Sequence, residues 1–448
     1  MMKGWGLIKP LAIAALLLQT GSLFAQTDSL DQVNQLSIGL DFLTHGEVCG
    51  GGLPKSVTEE SDEDRSSFLL GRFRLSVNYE RPGLQAYAVL QNKSVWGTKG
   101  NQALNLYEGW VKASHQCGLF AQIGRVALSY DDERIIGPND FSMAAKSHDV
   151  LRVGYEGHGH RLHGVLAYNQ NVSEVYSSTY YVDGAQPYKN MQMLWYHYDM
   201  PKIPLGASLL FMNTGLQAGV PGDKYNPAKT VYQQMYGGYI KYHPAFMTLE
   251  ASYYKQKGKE VDLSMQVGEI DAWMASVKAT INPSDKYGFV LGYDYLSGDD
   301  YVPVSYGGFG MVQHATNKGF TPLYGSKAKF YGIMDYFYES AYINGFTPGL
   351  QNAFVGVFGN PTPKLNCRVI YQYLATATKL NNLDQTLGHA INLIASYRFS
   401  KDISLMAGYT QMHGTETMDR LKQGNSSKRA RWGWFSLVVS PSLFTTKW

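Results

Sequence analysis

Apolar and polar positions alternate along much of this 448-residue chain. Between residues 71 and 80, apolar side chains take every second position, and arginine, serine and asparagine take the positions between them. The stretches 286–295 and 402–410 repeat the same period of two. Because successive side chains of a β-strand point to opposite faces, each stretch is typical of a strand with one apolar and one polar face.

Short and long connections alternate between the predicted strands. Turn-forming residues lie at 81–83, 115–118, 157–159, 201–204, 243–245, 282–285, 359–363 and 400–402. Longer polar connections lie at 45–65, 97–102, 127–147, 171–190, 214–229, 258–266, 298–348, 376–385 and 414–428. Short turns on one rim and long loops on the other are the arrangement of bacterial outer-membrane barrels. The pattern predicts an all-β fold, a transmembrane antiparallel β-barrel of about 18 strands with long extracellular loops and short periplasmic turns, from near Leu36 to near Ser440.

The region 298–348 decides the strand count. If 327–338 is a barrel strand, every later short turn falls on the rim of the long loops, whereas one long connection keeps the two rims distinct. We therefore predict a single loop at 298–348 that folds into the pore and narrows it, since a connection of this length is usually functional. The alternative, a strand at 327–338 with a weaker strand miscounted elsewhere, stays open because single barrel strands are weak signals.

The N-terminus and the composition indicate export to a membrane. Lys3 and Lys9 precede an apolar run, and the segment ends at the small residue Ala25, which predicts a signal peptide at 1–25 and a barrel at 26–448. No later apolar run approaches the roughly 20 residues of a transmembrane helix, yet the chain has 33 Tyr and 8 Trp, which settle at membrane interfaces. The predicted location is the outer membrane of a Gram-negative bacterium. A soluble secreted β-sandwich or β-helix is the alternative.

Charge and cysteine content exclude two further classes. Removing the signal peptide with its two lysines lowers the formal net charge from +3 to +1. A nearly neutral chain has no bulk basicity, so nucleic acid is not a predicted partner. Cys49, Cys117 and Cys367 are odd in number and fall in a loop, a turn and a strand, which does not support a disulfide framework.

Several motifs resemble the alginate-export family of outer-membrane porins. They are Gly124-Arg125, residues 130–137 (YDDERIIG), Asp149, residues 292–299 (GYDYLSGD) and residues 330–335 (FYGIMD), and their order and spacing extend over most of 65–440. The chain departs from the family pattern at three places, where Phe141 replaces a Trp, Lys146-Ser-His148 replaces an Arg and Ala328 replaces a His. The resemblance implies a channel that passes an acidic uronate polymer through an arginine-lined lumen.

Inward-facing charge is the candidate chemistry. The period of two places arginines and other charged groups on the polar face of several strands, and the resembling motifs add charged positions in the loops. Guanidinium groups in a narrow lumen attract carboxylates and bind them through two parallel hydrogen bonds. A competing interpretation is that the arginines pair with nearby carboxylates and only brace the wall. The predicted pore-lining, substrate-binding set is Arg72, Arg74, Glu108, Lys112, Arg125, Arg134, Asp149, Arg152, Asp294 and Arg368.

No motif predicts catalysis, a metal site or a cofactor. The chain has no Gly-x-Ser-x-Gly elbow, no P-loop and no dinucleotide fingerprint. Residues 158–163 (HGHRLH) indicate a turn at the rim, because no cysteine or carboxylate cluster completes a metal shell. The acidic residues 131–133 and 299–300 are predicted to be solvated in outer loops, with binding of Ca²⁺ or a divalent bridge to lipopolysaccharide as the alternative.

These observations predict a passive porin, not an enzyme, for anionic sugars, oligosaccharides or acidic polysaccharide. The expected partners are anionic carbohydrate or another small anionic solute, outer-membrane lipid with lipopolysaccharide, and a periplasmic handover protein. Two alternatives stay open, a surface-binding or adhesive barrel with a plugged lumen, and an outer-membrane hydrolase.

Overall fold

The described part of the protein is built on one antiparallel sheet. The computed structural model describes residues 33–51, 65–98, 103–141, 143, 145–170, 187–261, 265–299, 316–332, 334, 347–380, 383–422 and 425–448, so the predicted signal peptide at 1–25 lies outside the described residues. The β-segments within these ranges are β1 (Gln35–Gly50), β2 (Arg65–Arg81), β3 (Leu84–Val95), β4 (Ala103–Ser114), β5 (Leu119–Val126), β6 (His148–Gly157), β7 (His160–Tyr168), β8 (Asn190–Asp199), β9 (Leu205–Ala218), β10 (Lys229–Tyr242), β11 (Met247–Val261), β12 (Val267–Ile281), β13 (Tyr287–Leu296), β14 (Leu350–Thr362), β15 (Leu365–Ala375), β16 (Thr386–Arg398), β17 (Ile403–Gly414), β18 (Ala430–Val439) and β19 (Ser442–Lys447). Each segment pairs with its neighbour along the chain, apart from the break between β18 and β19.

β18 and β19 are two halves of one closing strand. β18 pairs with the C-terminal half of β1, and β19 pairs with its N-terminal half. Pro441 interrupts the strand because proline has no N–H to donate, although its carbonyl accepts the Leu40 N–H at 3.1 Å. Since β1 also pairs with β2, the sheet closes into a barrel of 18 strands, and the predicted fold is confirmed. The closing strand extends to Lys447, past the predicted end near Ser440.

The two faces of the sheet differ as the alternation predicts. On β13, Phe289, Leu291 and Tyr293 are exposed on one face, whereas Asp294 on the other face is only 2% exposed. Exposed aliphatic and aromatic side chains recur on the first face of strand after strand, which is the surface that a barrel presents to lipid. The second face lines the interior of the barrel and forms its inner wall.

The connections fall into two groups, one on each rim. β2–β3, β4–β5, β6–β7, β8–β9, β10–β11, β12–β13, β14–β15 and β16–β17 are joined by short turns. At the first of these, Pro82 is followed by Gly83 with φ of +77°, a conformation that glycine adopts without strain. The long connections lie on the opposite rim. One of them contains α1 (Glu416–Lys422), and no helix in the described ranges is long and apolar enough to cross a membrane.

The connection between β13 and β14 contains no barrel strand in its described part. Residues 327–329 form a single 3₁₀ turn, and the described residues that come next are not in a strand. The long-loop interpretation of 298–348 therefore agrees with the pairing of β13 to β14. The alternative strand at 327–338 finds no support in residues 327–332 and 334.

The barrel has a hydrophobic core that two long connections share with the inner wall. Leu128 and Ile136 from loop 127–147 and Tyr324 from segment 316–332 are almost fully buried. They belong to the same cluster as inward-facing methionines of the wall, such as Met212 and Met274. Methionine is flexible and fills irregular gaps between loops and a sheet. Both connections therefore lie against the inner wall.

We expect a charge on the outer face to destabilise the barrel in a depth-dependent way. Leu291→Arg places a cation at the middle of a lipid-facing strand and should lower the free energy of unfolding by about 2–4 kcal/mol. The matched variant Tyr287→Arg lies at the end of the same strand, beside the turn, and should cost about 0–1 kcal/mol. Urea unfolding in phospholipid vesicles measures both. Equal costs at the two positions would contradict a lipid-facing orientation.

Candidate functional site

Loop 127–147 connects opposite walls of the barrel. Asp131 accepts hydrogen bonds from Trp195 Nε1 on β8 (3.1 Å) and from the Tyr254 hydroxyl on β11 (3.2 Å). Further along the loop, the Asp140 carboxylate contacts Arg74 on β2 at 2.7 Å. β2 and β11 are nine strands apart in a barrel of 18, so they face each other. The loop therefore spans the lumen.

Arg134 is the centre of this crossing. Its Nη1 donates to Asp294 Oδ1 on β13 (3.0 Å) and to the Tyr331 hydroxyl (2.7 Å), and its Nε donates to Asp132 Oδ2 (3.2 Å). The Phe330 ring lies 4.1 Å from the guanidinium carbon. Arg134 and Asp294 are both buried, and a buried charge is tolerated only when it is paired and hydrogen-bonded. Arg134 thus fixes loop 127–147 to the wall and to segment 316–332.

A second group of contacts joins loop 127–147 to segment 316–332. Lys329 Nζ lies 2.6 Å from Glu133 Oε2, and the Ser326 hydroxyl donates to the same oxygen at 2.8 Å. Burial alone raises the pKa of Glu133, but the hydrogen bonds from Lys329 and Ser326 outweigh it and lower the pKa below its usual value. Backbone hydrogen bonds of Tyr324 with Ile135 and Gly137 add a short parallel bridge.

Several loop residues adopt left-handed backbone conformations. Asp131, Glu133 and Tyr331 have φ values of +54°, +68° and +63°. Such conformations are costly for residues other than glycine, and they persist where surrounding contacts fix them. Here the fixing contacts are the hydrogen bonds of the same three side chains.

A chain of amide hydrogen bonds holds Asp294 from the other side. It crosses neighbouring strands β14 to β17 on the inner wall, and every link joins side chains in adjacent strands. The links are Asn352 Nδ2 to Asp294 Oδ2 (2.8 Å), Gln372 Nε2 to Asn352 Oδ1 (3.0 Å), Asn392 Nδ2 to Gln372 Oε1 (2.7 Å) and Thr410 Oγ1 to Asn392 Oδ1 (2.9 Å). Because each side chain bonds to the one on the next strand, the network fixes the position of Asp294, the wall partner of Arg134.

Arg72 and Arg74 form a paired-arginine site on β2. Both guanidinium groups contact Asp140 Oδ1, at 3.2 Å from Arg72 Nη1 and 2.7 Å from Arg74 Nη1. Arg74 Nε donates to Gln91 Oε1 at 2.8 Å, and the Arg74 guanidinium lies 3.9 Å from the centre of the Tyr107 ring. The site is therefore built by strands β2, β3 and β4 and is occupied by a loop carboxylate.

Other predicted residues also lie on the inner wall. The Lys112 ammonium lies 4.3 Å from the centre of the Phe120 ring, and the Arg152 guanidinium lies 5.6 Å from the same ring centre. Glu108 accepts hydrogen bonds from Trp110 Nε1 and from the Ala127 N–H. Arg368, opposite inward-facing Phe358, is exposed and forms no ion pair within the described residues.

Two predicted pore residues have the wrong orientation. Arg125 and Asp149 are paired in register on β5 and β6 and share two hydrogen bonds, of 2.9 and 2.7 Å. By strand alternation they lie on the same face as Ile123, which is 63% exposed on the outer surface, and not on the face of Gln122 and Arg152. The predicted pore-lining position of Arg125 and Asp149 is therefore wrong. A bulge at Gly124 would have been needed to turn Arg125 inward, and the pairing of β5 with β6 is continuous there.

The prediction that the acidic residues 131–133 are solvated in an outer loop is also wrong. They are inside the barrel, where Asp131 and Asp132 hold Trp195, Tyr254 and Arg134, and are not solvated in an outer loop. For Arg134 and Asp294 the geometry matches the bracing interpretation, because each is the other's partner. Asp299 is buried as well, and residue 300 lies outside the described ranges.

Sequence reasoning missed Asp140 and most of the amide network. Asn352, Gln372 and Asn392 do carry a signal, because each polar residue sits at an inward position of a strand whose outward positions are apolar. Asp140 carries none. It lies in an irregular loop, so no periodicity relates it to the arginines of β2.

A closed antiparallel barrel of 18 strands, with an apolar exterior and an interior crossed by its own loops, is the fold of outer-membrane porins. Among solved structures, the chain is similar to Pseudomonas aeruginosa OccK5 (OpdH), with a TM-score of 0.57, 11% identity, and coverage of 92% of this chain and 98% of the other. It is also similar to Acinetobacter baumannii OccAB1, with a TM-score of 0.58, 13% identity, and coverage of 91% and 97%. Pseudomonas aeruginosa OpdL gives a TM-score of 0.58, 12% identity, and coverage of 91% and 99%.

At these identities the likeness shows the fold and nothing finer. No family model matches the chain, and no curated protein sequence matches it. The structural neighbours are outer-membrane porins of the Occ/Opd group. The resemblance to the alginate-export family is therefore not supported.

Removing the wall partner of Arg134 should destabilise the barrel. Asp294→Ala removes one of the two carboxylates paired with the buried Arg134 guanidinium and leaves Asp132 as its remaining partner. We therefore expect a loss of about 3 kcal/mol in the free energy of unfolding, the lower end for a broken buried pair. The exposed pair of Lys259 and Glu269 supplies the control, since Glu269→Ala should cost less than about 1 kcal/mol. Urea unfolding in vesicles compares them. Similar losses in both variants would show that Arg134 does not depend on Asp294.

The contact of Glu133 with Lys329 should make stability depend on pH. Because the folded protein lowers the pKa of Glu133, the contribution of this group is present above the usual glutamate pKa and is lost as pH falls through the folded value. Acidification from pH 7 to below about 4.5 should therefore destabilise the wild type more than Glu133→Gln, as measured by urea unfolding at each pH. Glu416→Gln, in the exposed helix α1, should keep the wild-type pH dependence.

Proposed function

We propose that this protein is a channel for small anionic solutes, sugar acids and acidic oligosaccharides among them. The observation that carries the proposal is the paired-arginine site on the inner wall. Its two guanidinium groups already bind a carboxylate, that of Asp140, in a geometry that suits a carboxylate solute. Lys112, Arg152 and Arg368 add further cations to the inner wall, and Arg368 forms no ion pair within the described residues.

The passage is proposed to run beside β1, β2 and β3. Within the described part of the chain, the hydrophobic core inside the barrel takes wall residues from strands between β5 and β18 but none from these three strands. The wall at β1 to β3 instead carries polar and charged groups, including Asp41, Gln91 and Lys93. Water and ions enter a polar surface and avoid an apolar core, so we place the route off-centre. Segment 316–332 narrows it from the opposite side.

The core inside the lumen favours a second candidate. Loop 127–147 and segment 316–332 bury many side chains against the wall, which is also what a plugged, surface-binding barrel needs. The two candidates differ in one property, because only the first conducts ions. A periplasmic handover protein and lipopolysaccharide around the barrel remain predictions that accompany the channel.

Ion selectivity in planar bilayers tests the proposal. The wild type should conduct with a reversal potential that indicates anion preference, and Arg368→Glu should shift it toward cations by reversing a charge on the inner wall. Lys257→Glu makes the same change in charge on the outer face of β11 and should leave the reversal potential unchanged. Absence of conductance would favour the plugged barrel. An equal shift in both variants would reject a lumen-specific role for Arg368.

A further inference from the structure

The paired-arginine site has binding capacity that Asp140 does not use. Arg72 Nε and Arg74 Nη2 are buried without a hydrogen-bond partner in the described structure. The side chains of Arg72 and Arg74 are only 4% and 11% exposed, whereas that of Asp140 is 50% exposed. The arginines are therefore fixed in the wall, and the carboxylate that occupies them faces the lumen.

The charges around the site are balanced only while Asp140 is present. Three cations, Arg72, Arg74 and Lys93, lie together, and Lys93 is close enough to both arginines to feel their charge. The nearby wall acids are Asp41, 3.4 Å from Arg72, and Glu108 on β4. Asp140 supplies the third negative charge. Without it, the cluster holds more positive than negative charge and attracts another anion.

Hydrogen bonds from the two arginines and one aromatic ring hold the Asp140 segment to this wall. Besides the bonds to the carboxylate, Arg72 Nη1 donates to the main-chain carbonyl oxygen of Asp140 at 3.0 Å. Next to Asp140, Phe141 packs edge-on against His45 and Trp434, with ring centres 5.5 and 5.2 Å apart. On the other side of Asp140, the Asn139 N–H bonds to Ser326 of the opposite segment and not to the wall. Within the described structure, residues 139–141 are therefore held to β1, β2 and β18 by the hydrogen bonds of Asp140 and by the packing of the Phe141 ring.

We propose that Asp140 is an internal ligand that a solute carboxylate displaces from Arg72 and Arg74. This inference rests on the proposed channel function. The incoming carboxylate takes the two guanidinium groups, and the free Nε and Nη2 donors accommodate a second oxygen or a neighbouring hydroxyl. The Asp140 carboxylate then turns into the lumen water. Within the described structure, the Arg72 bond to the Asp140 carbonyl oxygen and the Phe141 ring are left to hold residues 139–141 to the wall. The ligand class is a carboxylate with adjacent hydroxyl groups, such as a sugar acid.

Competition between Asp140 and the solute has a measurable consequence. When a binding site is open only a fraction of the time, the apparent dissociation constant equals the intrinsic one divided by that fraction. If Asp140 occupies the arginines about nine-tenths of the time, removing its charge tightens solute binding about tenfold. If the removal of any one negative charge from the cluster were sufficient, neutralising Asp41 would tighten solute binding as much as neutralising Asp140.

Current block by galacturonate in planar bilayers tests the exchange. Asp140→Asn should lower the half-blocking concentration about five- to tenfold, because the competing charge is gone and the side chain keeps its size. Asp41→Asn removes one negative charge from the same cluster without removing the internal ligand and should change it less than about twofold. Asp140→Glu, which restores a carboxylate, should return the value toward that of the wild type. Heat-modified mobility on gels verifies that each barrel is folded.

The possible outcomes separate the two proposals. A wild type that conducts with anion preference, while Asp140→Asn and Asp41→Asn shift the block equally, overturns the internal-ligand role and leaves the channel function intact. A wild type without conductance overturns the channel function itself. Block by galacturonate that persists unchanged in Arg74→Gln places the binding site elsewhere and also overturns the inference.

Discussion

The pairing of β1 with β18 and β19 is the interaction on which the rest of the structure depends. A bilayer offers no water to unpaired backbone N–H and C=O groups, so a sheet survives there only when it has no free edge. β1 meets this requirement by pairing with β2 on one side and with the closing strand on the other. The break at Pro441 is tolerated because proline lacks only the N–H, and its carbonyl stays bonded. Closure also separates an outer face, which meets lipid, from an inner face, which carries most of the charged side chains of the wall.

The width of the barrel determines what its interior must contain. Eighteen strands enclose a space larger than wall side chains can fill, and loop 127–147 and segment 316–332 occupy part of it. Loop 127–147 does so with a series of paired charges, from Asp131 through Arg134 to Asp140. Pairing of this kind contributes order more than net stability, because desolvation of the charges offsets much of their attraction. The loop therefore holds a row of paired charges at fixed positions in the lumen.

The sequence predicted the wall well and the loops poorly, and the reason is physical. Period-two alternation on strands such as β2 and β13 reports directly which side chains meet lipid, so the inward position of Arg72, Arg74 and Asp294 could be derived from it. Loops have no period. The burial of residues 131–133 and the contact of Asp140 with β2 depend on where a long connection folds, which is set by packing across the barrel. Arg125 was predicted wrongly although it lies on a strand, because a bulge at Gly124 could have turned it either way, and the pairing of β5 with β6 has no such bulge.

The link between β2 and β11 has a mechanical consequence. A thin cylindrical sheet under lateral pressure from lipid flattens easily into an oval, since bending needs only small changes at each strand pair. A covalent segment anchored by charged contacts at two points half a circumference apart acts as a tie across the diameter. The contacts of Asp131 with β11 and of Asp140 with β2 therefore resist flattening of the barrel along this diameter. Loss of either contact removes that resistance.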